Sequence, residues 1–306
     1  MKHINIGIFH DENLGKELGK KGTESDILMF NRKTDNFIFS FMSPVDDKLT
    51  TKTQILSTID AVIISCEKIT PEIGETILLI DSLEIKNGII VVPEYSDTSE
   101  IEKLINNTSL QNFTIIEKNI SEIIQVLETF NPQRNIENPT TIIVDHSFSV
   151  KGVGEVVLGL VKQGIVHKYD KMKLLPIDKE ILVRSIQMQD KDFEEASAGC
   201  RVGLAIKGAK ASEMRRGSVF SKKDGAKIGT DFKLKIKKNR FYPEIKTGIF
   251  HATVGMQSFP ININEINTDS ISITTEKPIC YSNNDVFIIL DLNAKKLRHI
   301  GNGKIL

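Results

Sequence analysis

Gly15 and Lys16 are the residues whose types and spacing first suggest chemistry in this chain. They follow an apolar segment at residues 3–9 and lie near the end of the run His10-Asp-Glu-Asn-Leu-Gly-Lys-Glu17. A glycine and a lysine shortly after a buried strand are typical of the phosphate-loop pattern G-x-x-x-x-G-K-[ST]. In that pattern backbone N–H groups and the lysine bind phosphates, and the final hydroxyl holds Mg²⁺. Gly15 and Lys16 are therefore candidate nucleotide-binding residues.

The rest of the loop departs from the pattern. His10 stands where the pattern has its first glycine, and Glu17 stands where it has the hydroxyl. Asp11, Glu12 and Glu17 would add negative charge beside a triphosphate. One like-charge pair at ~4 Å costs about 4 kcal/mol at a near-surface dielectric. Because Lys16 cannot offset three carboxylates, we predict weak nucleotide binding at most, with no catalytic residue, no cofactor and no bound metal.

A second interpretation treats His10, Asp11, Glu12 and Glu17 as metal ligands. Consecutive residues seldom converge on one ion, whereas acidic residues at the start of a helix are stabilised by the helix dipole. We therefore favour a solvated helix start over a metal site.

The elements around this loop alternate between strand and helix. Strands are predicted at residues 3–9, 37–41, 61–65, 88–92 and 113–116. Helices are predicted at residues 50–58, 72–83, 98–106 and 120–130. Such alternation predicts a parallel sheet covered on both faces, with ligands at the carboxyl ends of its strands.

The second half of the chain has a different pattern. Residues 131–139 contain two prolines and no apolar period, which indicates a linker. From residue 140, short β-rich runs with glycine at the corners predict a closed barrel, and further strands from about residue 225 predict a second one. The first barrel is expected to open with a strand at 141–144, a polar corner at 145–147 and a strand at 148–150.

Several blocks of this half resemble one family. They are VDHSFSVKGVGEVVLGLVKQGIV at 144–166, KLLP at 173–176, VRSIQ at 183–187 and AGCRVG at 198–203. Together they resemble the second domain of the EF-Tu family of translation factors, nearest to the archaeal selenocysteine-specific elongation factors (SelB). HATVGMQ at 251–257 and LRHIGNG at 297–303 are similar to the third domain. Because the sequence stops near Leu306, we expect the fourth domain of SelB to be missing.

The resemblance implies an α/β plus all-β fold, in which a degenerate P-loop GTPase-like parallel-sheet domain is followed by two β-barrels. The expected boundaries are 1–131, 138–222 and 223–306. It also implies that the nucleotide elements are lost. Met42 and Val45 stand at the metal-linked Asp and the γ-phosphate-sensing Gly of Asp-x-Pro-Gly, and Pro93 and Glu94 replace the guanine-reading Asn-Lys-x-Asp. Only 27 residues separate Lys16 from Pro44, so the effector loop is expected to be deleted.

Asp145 and His146 match the corner that lines the aminoacyl pocket in the family. A carboxylate beside an imidazole can orient an amino group or a selenol. The alternative is a structural corner, in which Asp145 accepts backbone N–H groups in an Asx-turn. Arg201 is interpreted as structural, and Cys200 replaces an Asp that is usual in the family.

Charge is divided between the halves. Residues 1–135 contain 13 Lys and Arg against 21 Asp and Glu, a net of −8, whereas the remainder carries +8 within a neutral whole. Either the halves attract each other or the basic half contacts a polyanion. The candidate RNA-binding residues are Lys207, Lys210, Arg215, Arg216, Lys233, Lys235 and Lys237. The last three alternate with Leu234 and Ile236, so a strand would place them on one face, either against phosphate or simply in water.

The cysteine content and the pattern of apolar residues indicate the compartment in which the protein is expected to work. Cys66, Cys200 and Cys280 are too few and too far apart for a disulfide framework or a metal knuckle, which favours a reducing cytoplasm. No apolar run reaches the ~18 residues of a membrane span, and the N-terminus becomes polar too soon for a signal peptide. We therefore expect a cytoplasmic protein with no membrane partner.

The function predicted from these observations is that of a pseudo-GTPase, not an enzyme, which binds tRNA or the ribosome without GTP hydrolysis. Two alternatives stay open. One is a protein-interaction scaffold whose acidic N-terminal domain binds a protein partner. The other is a residual nucleotide-binding switch, in which Lys16 and the helix N-terminus hold an anion.

Overall fold

A computed structural model describes residues 1–46 and 48–306. The N-terminal strands form one mixed sheet in the order β2-β3-β4-β1-β5-β6-β7. The strands are β1 (Lys2–Phe9), β2 (Lys20–Glu24), β3 (Ile27–Lys33), β4 (Phe37–Pro44), β5 (Ala61–Ser65), β6 (Gly88–Val92) and β7 (Thr114–Glu117). The helices are α1 (Leu14–Leu18), α2 (Leu49–Leu56), α3 (Pro71–Ser82), α4 (Ser99–Ile105) and α5 (Ile120–Thr129).

The parallel part of this sheet is the predicted one. β4, β1, β5, β6 and β7 pair in parallel, and alternation with helices buries all of them except the edge strand β7 on both faces. Their side chains form a core that includes Ile4, Ile6, Ile63 and Ile89, each 0% exposed. Local signals also fix helix starts, since Thr70 caps α3 by accepting the N–H of Ile73 ahead of the N1 proline, Pro71.

The antiparallel strands β2 and β3 are a correction to the prediction. They lie between Lys16 and Pro44, where the effector loop was expected to be deleted and no strand was predicted, and β3 pairs with β4 along its length. The reason is that β2, with the sequence KKGTE, has no apolar alternation to mark it as a strand. Its side chains are mostly exposed because it is the edge strand of the sheet.

Two β-barrels follow in the described part of the chain. The first closes in the order β11-β16-β8-β9-β15-β12, with β11 pairing to β12. Its strands are β8 (Thr141–Val150), β9 (Gly154–Gln163), β11 (Lys171–Leu175), β12 (Lys179–Met188), β15 (Arg201–Lys207) and β16 (Val219–Ser221), with the accessory strands β10 (Ile165–His167), β13 (Lys191–Phe193) and β14 (Glu195–Ser197). Gly164, one of the glycines at the corners of this barrel, has φ +74°.

The second barrel closes in the order β17-β20-β19-β18-β21-β22. Its strands are β17 (Lys227–Lys238), β18 (Gly248–Val254), β19 (Gln257–Ile266), β20 (Ser270–Tyr281), β21 (Val286–Leu290) and β22 (His299–Ile305). The predicted fold class, a parallel-sheet domain followed by two barrels, is confirmed.

The described residues divide into two compact units. The first contains residues 1–132, 237–244 and 288–302, and the second contains 133–236, 245–287 and 303–306. Within the first unit, Arg298 binds the buried carboxylate of Glu75 on α3, with Nε 3.1 Å from Oε2 and the backbone N–H 2.9 Å from Oε1. Asn302 donates to the carbonyl of Ser82 at 2.8 Å. The domain boundaries at 131, 138 and 222 stay predictions.

Among the described residues, the helices are all too short or too polar to cross a bilayer.

Candidate functional sites

The loop after β1 is shaped by its own side chains. His10 takes φ +67°, and its Nε2 lies 2.9 Å from the hydroxyl of Thr76 on α3. One carboxylate oxygen of Asp11 accepts the backbone N–H groups of Asn13 and Leu14, at 2.8 and 2.9 Å. These bonds form an Asx-turn that leads into the short helix α1, whose N-cap position is Asn13. Both residues therefore have a local structural role.

Lys118 binds the carboxylates of this loop. Its Nζ lies 2.8 Å from Oε1 of Glu17 and 3.2 Å from Oδ2 of Asp11. The hydrogen bond to Glu17, followed by the one to Asp11, raises the pKa of Lys118 against the opposing effect of partial burial. The like-charge repulsion predicted for this loop is thus offset by a lysine that follows β7, and not by Lys16. Lys16 donates instead to Oδ1 of Asn13 at 3.0 Å.

Gly15 has a packing reason that does not involve phosphate. A Cβ built on Gly15 would lie 2.4 Å from the ring of Phe30, which is fully buried on β3. Glycine is therefore required for α1 to approach β3. The apparent phosphate-loop glycine and lysine are both explained by neighbours within the domain.

The other positions at which the family binds nucleotide also hold different residues in this chain. Met42 is fully buried in β4, whereas Val45 is exposed. Pro93 begins a turn that presents Tyr95, 94% exposed, and the N–H of Tyr95 donates to Glu117 at 2.9 Å. His10 contacts Thr76, whereas Asp11 and Glu17 bind Lys118. In the described part of the chain, no set of three or more His, Cys, Asp and Glu side chains is arranged to hold a metal.

A buried lysine lies beneath the same loop. Lys52, on α2, is 2% exposed, and its Nζ is 3.4 Å from the hydroxyl of Thr76 that also contacts His10. No sequence pattern marks it, because it lies on a helix with a weak apolar face.

Asp145 is the centre of a buried charged cluster in the first barrel. The expected polar corner is wrong, because residues 141–150 form one strand, β8, with a bulge between Val144 and His146. The extra residue of the bulge turns the Asp145 carboxylate toward β15 and the segment before β16. Its Oδ2 accepts Nη2 of Arg201 at 2.6 Å, and its Oδ1 lies 3.4 Å from Nε of Arg216 and 3.2 Å from Nδ1 of His146.

The charge state of Asp145 follows from those partners. Burial acts to raise its pKa, but the contact with His146 and the cations of Arg201 and Arg216 outweigh burial and lower the pKa to about 2. Asp145 is therefore an ionised carboxylate, and its side chain is 2% exposed. His146 is the member of the cluster with an accessible edge, with 24% of its side chain exposed.

The basic candidates fall into separate groups. Lys233, Lys235 and Lys237 lie on the outward face of β17, as their alternation predicted, but Lys237 is bonded to Glu84 at 3.0 Å. Arg216 belongs to the Asp145 cluster, while Arg215 is exposed beside it. The remaining two, Lys207 and Lys210, are exposed at the end of β15.

Known proteins share this sequence and this fold. Residues 154–221 match the family model for Elongation factor Tu domain 2. An uncharacterized protein of Methanocaldococcus jannaschii is 36% identical over the full length of both chains. The selenocysteine-specific elongation factor of the same organism is 29% identical over 67% of this chain and 48% of its own. The crystal structure of SelB from Methanococcus maripaludis with the GTP analogue GppNHp superposes over all of this chain and 79% of its own, with a TM-score of 0.86 and 26% identity.

The chain therefore belongs to the EF-Tu family of translation factors. Within that family it is a SelB-like paralogue, because its relatives and structural neighbours include selenocysteine-specific factors that match all three parts of the fold.

Proposed function

We propose that this protein is a pseudo-GTPase of the translation-factor family that binds tRNA or the ribosome without hydrolysing GTP. The observation that carries the proposal is the loop after β1. Its carboxylates are bound to Lys118, its lysine is bound to Asn13, and its glycine packs on Phe30. The side chains of Asp11, Lys16 and Glu17 therefore already have structural partners.

Hydrolysis of GTP needs phosphate donors, a Mg²⁺ ligand and a residue that positions water. Glu17 replaces the Mg²⁺-binding hydroxyl, and Met42, at the position of the metal-linked Asp, is an apolar side chain buried in β4. Pro93 and Glu94 supply no amide side chain to read guanine. The combined loss of the Mg²⁺ ligands and the guanine-reading side chains supports a binding protein and not an enzyme.

The basic face of β17 supports the RNA partner. Lys233 and Lys235 are exposed on alternate positions and project from one side of the strand. Lysines spaced in this way can follow a phosphate backbone, and binding of that kind weakens as salt rises. Arg215 and the exposed edge of His146 offer a second contact region on the first barrel. By analogy with the family, the Asp145 cluster would lie at the aminoacyl end of a bound tRNA.

We place this activity in the cytoplasm, where the cysteines would stay reduced. Cys66, Cys200 and Cys280 are all buried and free in the described structure, and burial raises the pKa of each thiol. Their burial and raised pKa make them poor candidates for redox or metal chemistry.

The first test is a titration of the full chain with fluorescent GTP, GDP and ATP in the presence of Mg²⁺. We expect no saturable binding below about 10 μM, which corresponds to about −7 kcal/mol. Tighter binding would favour the residual nucleotide-binding switch.

The second test measures binding of tRNA and of ribosomes across a range of salt. The double variant Lys233→Glu/Lys235→Glu should reduce the magnitude of the negative slope of log K against log salt by about 1.4–1.8, since each phosphate contact contributes roughly 0.7–0.9. Lys20→Glu/Lys33→Glu is the matched control, because it makes the same charge change at exposed positions of the N-terminal sheet. Absence of RNA binding even at ~50 mM salt would favour a protein scaffold that uses the acidic domain.

A further inference from the structure

A buried chain of hydrogen bonds joins the last strand, β22, to the C-terminal end of α3 within the first compact unit. Its centre is His299, the first residue of β22, which is 0% exposed. Nδ1 of His299 lies 3.2 Å from Nδ2 of Asn239, and Nε2 lies 3.1 Å from Oδ1 of Asn302. Asn302 in turn donates to the carbonyl oxygen of Ser82, the last residue of α3, at 2.8 Å. The imidazole is therefore held between two buried amides.

The two ends of the chain fix the direction of every bond in it. At one end the backbone N–H of Phe241 donates to Oδ1 of Asn239 at 3.0 Å, so the NH2 group of that amide faces the imidazole. At the other end the carbonyl of Ser82 accepts from the NH2 group of Asn302, so the amide oxygen faces the imidazole. Because a backbone N–H only donates and a carbonyl oxygen only accepts, neither amide can turn over without losing a bond.

The direction of the chain sets the protonation state of His299. Nδ1 must accept from Asn239 and Nε2 must donate to Asn302, which describes a neutral imidazole with its proton on Nε2. A second proton on Nδ1 would point at the NH2 group of Asn239, where two donors would meet. Asn239 can accept that proton only by turning its amide, and the N–H of Phe241 would then lose its acceptor. The neutral form fits the chain, and the charged form breaks it.

The surroundings of His299 also favour the neutral form. Burial lowers the pKa of His299, against the smaller opposing effects of Asn302, the carboxylate of Glu75 and the backbone of Gly301. The negative charge of Glu75 is compensated by Arg298, the residue before His299, whose Nε lies 3.1 Å from Oε2. The closed chain therefore holds an uncharged imidazole beside an ion pair that is already balanced.

The charged groups on the neighbouring elements have partners of their own. Lys237 is bonded to Glu84, just beyond α3, at 3.0 Å. Lys238 donates to the backbone carbonyls of residues 242 and 243, and Asp291 accepts the hydroxyl of Tyr242 at 2.9 Å. Histidine is the side chain whose ordinary charge change falls between pH 5 and 8. The imidazole is thus the group through which a modest change of pH can act on this cluster.

We propose that the chain from Phe241 to Ser82 is a proton-operated latch, closed at neutral pH and opened when His299 takes up a second proton from solvent. The closed latch holds β22 against the C-terminal end of α3. Because His299 is fully buried when the latch is closed, the proton is taken up in the open form, which acid thereby stabilises. Arg298 keeps its bond to Glu75 nearer the start of the helix, so release is confined to one end of α3.

The latch is separate from the function proposed above. It shares no residue with the loop after β1 or with the lysine face of β17. Its test therefore needs neither nucleotide nor RNA, and it can fail without affecting the proposal of a pseudo-GTPase.

The sign of the pH effect follows from proton uptake on opening. His299 is neutral in the closed latch, and in the open form its imidazole is exposed and has an ordinary pKa of about 6.5. The equilibrium constant for opening should be level well above pH 6.5 and rise by up to about tenfold for each pH unit below it. The rise ends at the pKa of the closed form, which burial holds below the ordinary value.

Hydrogen exchange of the full chain measures this opening. Exchange of the amides in residues 77–84 and 299–303 is followed at pH 7.5, 6.5 and 5.5 and corrected for the intrinsic pH dependence of the exchange reaction. Protection should fall by about tenfold between pH 7.5 and 5.5. The amides of α5 serve as the internal reference and should show no such fall. Equal protection of the latch segments at all three pH values overturns the proposal.

Two variants test whether His299 and its partner cause the effect. Asn239→Asp offers a carboxylate that can accept both the N–H of Phe241 and a proton on Nδ1, so it should favour the charged imidazole. The fall in protection should then disappear or reverse. His299→Gln cannot take up the proton, so its protection should be lower but independent of pH. If either variant keeps the tenfold fall, the latch is not the cause.

His251→Gln is the matched control. His251 lies on β18 in the second compact unit, is half-buried, and has its pKa lowered by burial as well. This variant should keep the full pH dependence at residues 77–84, and its loss there would contradict the proposal. Nitrogen-15 NMR of the wild type gives a readout that does not depend on how a variant folds. At pH 7.5 the proton of His299 should be on Nε2, and a proton on Nδ1 would overturn the direction of the chain.

Discussion

Asp11 and Asp145 each bind cations brought from distant parts of the sequence, but in different surroundings. Asp11 shares Lys118 with Glu17 at the protein surface, where Lys118 is 38% exposed. Asp145 is 2% exposed and binds the largely buried Arg201 and Arg216 on the first barrel. Exposed ion pairs contribute little to stability, whereas removing one partner of a buried cluster leaves charges without compensation. The comparison indicates that charge in the N-terminal loop is replaceable and that charge in the barrel is structural.

The largest effect is expected at Asp145. Asp145→Ala should lower the free energy of unfolding by about 3–5 kcal/mol, because two arginines lose their buried counter-charge. Urea unfolding followed by circular dichroism measures this. Asp145→Asn keeps the shape and removes the charge, so it should lose nearly as much. An Asn variant as stable as the wild type would mean that shape, and not charge, holds the cluster.

Lowering the pH should remove the stabilisation that the charged carboxylate of Asp145 provides. The pKa of Asp145 is lowered from 3.8 to about 2, so its stabilising contribution is present above about pH 4 and is lost as pH falls toward 2. The difference in unfolding free energy between the wild type and Asp145→Asn should therefore shrink by about 2 kcal/mol over that window. Unfolding curves at pH 5, 4, 3 and 2 test it, and a constant difference would contradict the assigned charge state.

Gly15 tests whether the N-terminal loop is built for packing. Gly15→Ala should cost about 1–3 kcal/mol, because the new methyl group meets the ring of Phe30 at 2.4 Å. The same change in a Phe30→Leu background should cost less, and a double-mutant cycle measures that coupling. Equal costs in both backgrounds would mean that Phe30 is not the cause.

The smallest effect is expected at Lys118. Lys118→Met should change the free energy of unfolding by less than about 1 kcal/mol, and the change should fall further in 1 M salt. A loss of unfolding free energy comparable to that of Asp145→Ala would show that the exposed ion pairs of Lys118 stabilise the protein as much as the buried Asp145 cluster does.

The features that could be predicted from the sequence are those with local signals. The parallel strands, the capped start of α3 and the lysine alternation on β17 each follow from neighbouring residues. Lys118 could not be found in this way, because it lies 101 residues from Glu17. The pairing of Asp145 with Arg201 spans 56 residues and depends on a bulge. The hydrogen-bond chain through His299 joins three distant segments, which no periodicity encodes.

The bond between Glu75 and Arg298 has a consequence for how this chain is made. Residue 298 is synthesised 223 residues after Glu75. At 5–20 residues per second, the buried carboxylate on α3 waits roughly 10 to 45 s on the ribosome for its cation. The compact unit begun by the first residues thus cannot be completed in the order of synthesis. During that interval the carboxylate of Glu75 lacks the partner that it has in the folded chain.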